Sequence, residues 1–219
     1  MKLVFDIETI GQELEELSES QQEYLLRYSE DKSDDVRRYL SLYPFTAKVV
    51  SIGMMNVKSE KLLVMYESET KEEWTVEDKK IKYAGLSERE MIESFWEYIS
   101  KCEQIITFNG RNFDIPFLML RSSILGIKPS RNFIKNRYDS SNHIDMQEML
   151  TFHGLIRKFN LDFYCQSYGI ESPKSKGITG MEVKELYKSG KVKDIAIYCG
   201  KDVFATYELY KIWNRFLNF

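Results

Sequence analysis

A mixed α/β fold, with about five strands in one sheet and helices packed against it, is what the sequence predicts. Three observations carry that expectation. The chain opens on an apolar run, "LVFDIETIG", in which Leu3, Val4, Phe5 and Ile7 read as a buried strand. Two β-rich stretches, "AKVVSIGMMNV" and "KLLVMYES", follow with only "KSE" between them, so they form a hairpin antiparallel to the first strand. From Leu86 onward, apolar residues recur mostly at helical spacing, interrupted by short strand-like runs. Strands in hairpin order, then helix, strand, helix, strand and helices, describe a sheet with helices laid against it.

In the first strand Asp6 and Glu8 alternate with Ile7, so both carboxylates point to one face. Two like charges on one face of a core strand are costly unless something positive joins them. Residues 11–44 are polar and charged, carry Leu and Tyr at helical spacing and end at Pro44, which reads as a helical insertion with solvated faces. "LSEREMIESFWEYISKC" starts a helix with Ser87 three residues before Glu90, a capping box, and then spaces Met91, Phe95, Trp96 and Ile99 along one stripe. A fourth strand, "QIITFN", leads into the helix "DIPFLMLRSSILGI", with Pro116 tolerated in its first turn and Gly126 as its stop. "NHIDMQ" is a short fifth strand. "LDFYCQSYGI" and "MEVKELYKSG" are helical around the loop "ESPKSKGITG", and a long helix covers "VKDIAIYCGKDVFATYELYKIWNRFL".

Bulk properties limit the function classes. The chain has 219 residues, is 43% hydrophobic and shows no composition shift or Pro/Gly/Ser-rich linker, so residues 1–219 read as one domain. A formal charge of −3 argues against coating nucleic acid by general electrostatics and leaves room for a site that grips a strand end through metal ions. Cys102, Cys165 and Cys199 are widely spaced with no C-x-x-C pair, as expected of a reduced intracellular protein. The sequence has no apolar run near 18 residues and no signal peptide, so a soluble, cytoplasmic protein without a membrane partner is expected. Oligomeric state is not legible.

Two further acidic positions join the first pair. Asp114 follows the fourth strand at a loop-to-helix junction, and Tyr198 and Asp202, four apart on the long helix, share a helix face. Four carboxylates from three distant segments form a hard oxygen donor set suited to Mg²⁺ or Mn²⁺, and no Cys or paired-His cluster points to zinc.

At these residues the sequence resembles a known family. D-I-E-T at Asp6–Thr9, N-x-x-x-F-D at Asn109–Asp114 and Y-x-x-x-D at Tyr198–Asp202 are similar to the three motifs of the DEDD-superfamily 3′-5′ exonucleases, tyrosine subclass. "YCGKDV", "LYPFTAKVVSIGM" and the stretch from "HIDM" to "LDFYCQSYGIESPK" resemble stand-alone proteins similar to the exonuclease domain of family B DNA polymerases. The histidine subclass would need His where Ile197 stands. The resemblance implies a ribonuclease H-like fold and release of 5′-mononucleotides from the 3′ end of single-stranded nucleic acid, DNA favoured, with two Mg²⁺ or Mn²⁺ ions per site. Asp6 would bridge both ions, Glu8 and Asp202 would complete the nucleophile-side ion, and Asp114 would support the second, largely through water. Tyr198 would orient the attacking water. Thr9 and its backbone would abut the terminal 3′-hydroxyl, Asn109 would lie near the terminal nucleotide, and Phe113 with other aromatics would be available to unpaired bases.

Each residue also has an ordinary reading. Asp6 and Glu8 could be solvated on an edge strand, Asp114 could cap its helix, Tyr198 and Asp202 could be a plain helix face, Asn109 could end a strand and Phe113 could be core. The joint pattern, in this order on strand, junction and helix, is what points to chemistry. His143 and Asp145 read as a satisfied structural pair outside the catalytic set, and the Lys174, Lys176 and Gly177 loop reads as a solvated turn or a phosphate contact. A haloacid dehalogenase-type phosphatase would need Asp where Glu8 stands. A ribonuclease H-like endonuclease and a non-catalytic nucleic-acid-binding module are the remaining alternatives, the latter expected to have lost one of the acids. No polymerase-like segment follows, so proofreading in cis is not expected.

Overall fold

The computed structural model describes residues 1–27, 34–76, 80–134, 136, 138–172 and 180–218. Among these residues seven strands form one mixed sheet: β1 (Lys2–Gly11), β2 (Ala47–Asn56), β3 (Leu62–Glu67), β4 (Glu72–Val76), β5 (Ile81–Leu86), β6 (Gln104–Thr107) and β7 (His143–Asp145). Their order is β4-β5-β3-β2-β1-β6-β7. β1, β2 and β3 pair antiparallel in succession, while β6 and β7 join the other side of β1 in parallel. The five strands expected from sequence are all present, and β4 and β5 add two more. β4 escapes the eye because "EEWTV" is an edge strand with little burial, so it lacks the apolar run that marks a buried one. β5 pairs in parallel with β3, and Tyr83 and Ala84 are buried there.

The helices divide between the two faces. On one face lie α3 (Glu88–Ser100) and α4 (Asp114–Ile124), which bury Met91, Ile92, Phe95, Phe117 and Leu118 against Leu3, Phe5, Ile7 and Ile105. Full burial of such side chains contributes roughly 1.5–3 kcal/mol each. Ser87 accepts from the Glu90 N–H while Glu90 accepts from the Ser87 N–H at 3.0 Å, the reciprocal cap expected for α3. Pro116 falls in the first turn of α4, and Gly126, at φ 68°, supplies the left-handed residue that ends it. On the other face α8 (Val192–Phe216) packs Ala196, Cys199, Val203 and Tyr207 onto Val4, Met55, Val64 and Ile106. Alternation along β1 therefore sends Phe5 and Ile7 toward α3 and α4, and Val4, Asp6, Glu8 and Ile10 toward α8.

Between β1 and β2 the chain makes a 3₁₀ turn at Leu14–Glu16, then α1 (Glu19–Leu26), α2 (Asp34–Tyr39) and a second 3₁₀ turn at Leu40–Leu42. The segment is not solvated throughout: Leu14, Leu17, Val36 and Leu40 bury one another in a small separate core. It returns across the end of β1, where the Thr9 hydroxyl donates to the Ser41 carbonyl at 2.7 Å. A Cβ on Gly11 would meet the Ser41 nitrogen at 2.7 Å, so only glycine lets that backbone lie so close. The shorter helices are α5 (Met146–Leu150), α6 (Leu161–Tyr168) and α7 (Gly180–Lys188). Among the described residues no helix is long and apolar enough to cross a membrane.

Candidate active site

The site forms where β1 passes under α8. Opposite Asp6 on β2 stands Gly53, where a Cβ would come within 2.8 Å of Val203 Cγ2 and 3.2 Å of Cys199 Sγ. The absence of a side chain at Gly53 lets α8 settle onto the sheet, and the same turns of α8 carry Tyr198 and Asp202. One oxygen each of Asp6, Glu8 and Asp202 then lie within 4.8 Å of one another, all half-buried. Directly after Glu8 the β1–β2 ladder slips by one residue: Glu8 faces Ser51, but Thr9 faces Val49. Such a bulge re-aims neighbouring side chains, and it falls at the acidic pair.

Asp114 does not join that trio. Buried at the first turn of α4, its Oδ1 accepts the Ile7 N–H at 3.1 Å. β6 pairs with β1 only at Lys2, Leu3 and Val4, so further along that edge the ladder offers Ile7 no partner, and Asp114 satisfies the donor. Its charge still reaches the cluster.

The electrostatics follow from this crowding. Burial first, then the charges of Asp114, Asp202 and Glu8, push the Asp6 carboxyl well above the usual carboxylate range. Burial and the charges of Asp202 and Asp114 do the same to Glu8. Asp114 is pushed up to about 7, chiefly by burial, against the hydrogen bonds from backbone N–H groups. Tyr198, almost fully buried, is also raised by burial and by Asp202, Glu8 and Asp6, so its phenol keeps its proton. The Cys199 thiol lies 3.6 Å from the Asp6 carbonyl oxygen and is pushed up by burial and by the same carboxylates, which makes it a packing group rather than a nucleophile. Asp6 and Glu8, raised by burial and then by neighbouring charge, form with Asp202 a half-buried oxygen donor set that a hard divalent cation fits.

The other sequence candidates sit as follows. Thr9, buried, uses its hydroxyl on Ser41. Asn109 adopts φ 61°, and its Oδ1 accepts from the Asn112 side chain at 2.9 Å. Phe113 is half-buried against the α3–α4 core and lies 5.6 Å from the Phe117 ring, centroid to centroid. His143 and Asp145 are buried and do not pair with each other: Asp145 is satisfied by backbone N–H groups, whereas the Nδ1 of His143 has no hydrogen-bond partner. His143 Nε2 is 2.8 Å from Thr107 Oγ1, and burial lowers its ring to about 3, so it stays neutral. The Lys174, Lys176 and Gly177 loop lies outside the described residues.

Asp145, which the sequence marks only as half of a structural pair with His143, is a positioning residue. Its carboxylate accepts the Asn109 and Arg111 N–H groups at 2.9 Å each and the Gln147 N–H at 3.0 Å, which fixes the loop before Asp114 and caps α5 together. The cap could have been seen, since an Asp stands directly before a helical "MQEML". An apolar hollow of about 750 Å³ between the outer face of α8 and β4–β5 is lined by residues that include Trp74, Tyr83, Ile197 and Phe204 and by none of the four acids.

Comparison with known proteins converges on one group. A family described as a predicted 3′-5′ exonuclease related to the exonuclease domain of PolB matches residues 44–217. The DNA polymerase of Pyrococcus glycovorans is 32% identical over 138 residues, covering 56% of this chain and 18% of that protein. The DNA polymerase of Desulfurococcus sp. (strain Tok) is 30% identical over 144 residues, 57% of this chain and 18% of that protein. The chain thus spans less than a fifth of the length of the curated relatives it matches. The structure of the family B DNA polymerase from the hyperthermophilic archaeon Pyrobaculum calidifontis superposes with a TM-score of 0.64 at 19% identity, over 99% of this chain and 25% of that one, a likeness of fold.

Proposed function

The chain belongs to the family of predicted 3′-5′ exonucleases related to the exonuclease domain of PolB, and from that premise we propose that it hydrolyses phosphodiester bonds from the 3′ end of single-stranded nucleic acid, DNA favoured, in a reaction that depends on two divalent cations. The observation that carries this reading is the convergence of Asp6, Glu8 and Asp202 within 4.8 Å, beside Tyr198. Residues 1–219 act in it as one exonuclease-like domain, in the cytoplasm.

Asp6, Glu8 and Asp202 would hold the ions, with Asp6 shared between them, and Asp114 would support the second, largely through water. When bound, Mg²⁺ or Mn²⁺ would activate water and neutralise charge building on the leaving 3′ oxygen. Water attacks phosphorus, the bond to the 3′ oxygen breaks, and the phosphate leaves on the released 5′-mononucleotide. Tyr198 serves this step by hydrogen-bonding the attacking water. Its phenol, held above its ordinary range by burial and nearby carboxylates, is too weak an acid to serve as a base at neutral pH, so positioning is its contribution. Asp145 holds the backbone on which Asn109 approaches the terminal nucleotide, and Phe113 abuts it from the core side. Since the Thr9 hydroxyl is committed to Ser41, its contact with the terminal 3′-hydroxyl is through backbone.

The test is incubation of 5′-labelled single-stranded DNA and RNA with Mg²⁺ or Mn²⁺. A ladder shortening from the 3′ end with 5′-mononucleotide release is expected, abolished by EDTA. A single internal cut, or activity that survives EDTA, would overturn the reading.

A further inference from the structure

The slip in the β1–β2 ladder leaves one residue of β2 without an opposite number: Glu8 faces Ser51 and Thr9 faces Val49, so Val50 is the extra one. Its effect shows in the core that each neighbour enters. Val49 and Ile52, three apart, both lie in the core under α3 and α4, while Val50 and Gly53, also three apart, both face α8. Plain alternation would put residues three apart on opposite faces, so the bulge is what turns Val50 toward α8. There it packs with Ile10, Ile195 and Tyr198. Were the bulge to close, the register would slip by one residue and Val50 would leave Tyr198 for the other face.

A bulge also disrupts the ladder, and a buried N–H freed by it must find its acceptor elsewhere. One side chain supplies that acceptor. Glu88, the first residue of α3, accepts the Val49 N–H on Oε1 at 2.8 Å. The same carboxylate is held by Arg121 of α4, with Nε donating to Oε1 at 2.8 Å and Nη2 to Oε2 at 2.8 Å. With the Glu88 and Arg121 side chains only 12% and 18% exposed, this two-point pair is not a loose surface contact. The N-terminal turn of α3 favours the negative charge as well. Two helices on one face of the sheet thus clamp the backbone that seats Tyr198 on the other.

We propose that Glu88 is a positioning residue for the reaction: through the Val49 N–H it holds the β2 bulge that packs Val50 against Tyr198, and so sets the phenol beside the carboxylates. The inference rests on the exonuclease reading and is tested apart from it. Glu88→Ala should lower kcat on dT15 by roughly tenfold, short of the roughly 10²-fold scale of a whole catalytic hydrogen bond, with KM unchanged. In a Tyr198→Phe background the same substitution should cost no more than about twofold, because two changes acting through one group do not add. Glu88→Gln keeps an acceptor for the Val49 N–H and should restore most of kcat. Ser87→Ala, which removes the neighbouring cap of α3 and leaves the Glu88 contact in place, should lower Tm while sparing kcat. A readout independent of turnover is 3-fluorotyrosine installed at Tyr198: its fluorine resonance should shift in Glu88→Ala and stay in place in Ser87→Ala. Unchanged kcat in Glu88→Ala, a loss in the Tyr198→Phe background as large as in the wild type, or an unmoved fluorine resonance would overturn the positioning role. If the wild type does not cleave dT15, the exonuclease reading falls, and the fluorine resonance still decides whether Glu88 sets Tyr198.

Discussion

Asp6 and Tyr198 have unequal roles in the proposed reaction. Asp6→Ala removes the one carboxylate assigned to both ions, so cleavage should fall below detection and cation binding, read by calorimetry, should weaken with it. Tyr198→Phe keeps the ring's packing and every carboxylate, and deleting one catalytic hydrogen bond should cost on the order of 10²-fold in rate while single-strand binding in Ca²⁺ survives. Wild-type turnover in Tyr198→Phe would strike the tyrosine from the mechanism. The raised carboxyls set a pH dependence whose sign is fixed. Asp114, at about 7 folded against an unfolded value near 3.9, contributes stability that is complete below about pH 4 and lost as pH rises through about 7. A cation that neutralises the cluster should therefore raise Tm more at pH 8 than at pH 5, and an equal shift at both would contradict the coupling. The residues legible in sequence were those whose spacing fixes a face: Asp6 with Glu8 on a strand, Tyr198 with Asp202 on a helix. Asp145 on Asn109 and Thr9 on Ser41 were not, because contacts across 36 and 32 residues leave no periodic trace.

At the scale of elements, the fit of α8 on β1 and β2 decides whether the carboxylates meet. Gly53→Ala would drive a methyl group into Val203, and overpacking of this kind costs typically 1–3 kcal/mol. The expected result is a lower Tm together with a lower kcat, since lifting α8 moves Asp202 and Tyr198 away from Asp6. A loss of stability with kcat intact would mean that α8 has slack the packing does not suggest. Asp145→Ala should cost more, because it strands several partly buried donors at once, and its signature would be a raised KM from a slackened Asn109 loop. The same scale explains the strand count. Apolar runs announce buried strands such as β1 and β2, whereas β4, with Glu72 and Glu73 at a sheet edge, is recruited by pairing with β5 and not by its own composition.

For the whole molecule, a half-buried acidic cluster between β1 and α8 suits an unpaired end. Opening a duplex costs about 1.4 kcal/mol per base-pair step, so blunt duplex DNA should be degraded more slowly than the same strand alone, and the gap should widen with GC content at the end. Equal rates would argue against entry by an unpaired end. The close approach at Gly53 also has a consequence for descent. The smallest mutational step away from glycine already places a carbon 2.8 Å from Val203, so the two positions cannot drift independently. Among relatives that keep the acidic pair on the first strand and the Y-x-x-x-D helix, a larger residue opposite the first aspartate should appear only in company with a smaller one at the Val203 position. Aligned sequences would record the helix–sheet distance as a correlated pair, in lineages for which no structure has ever been determined.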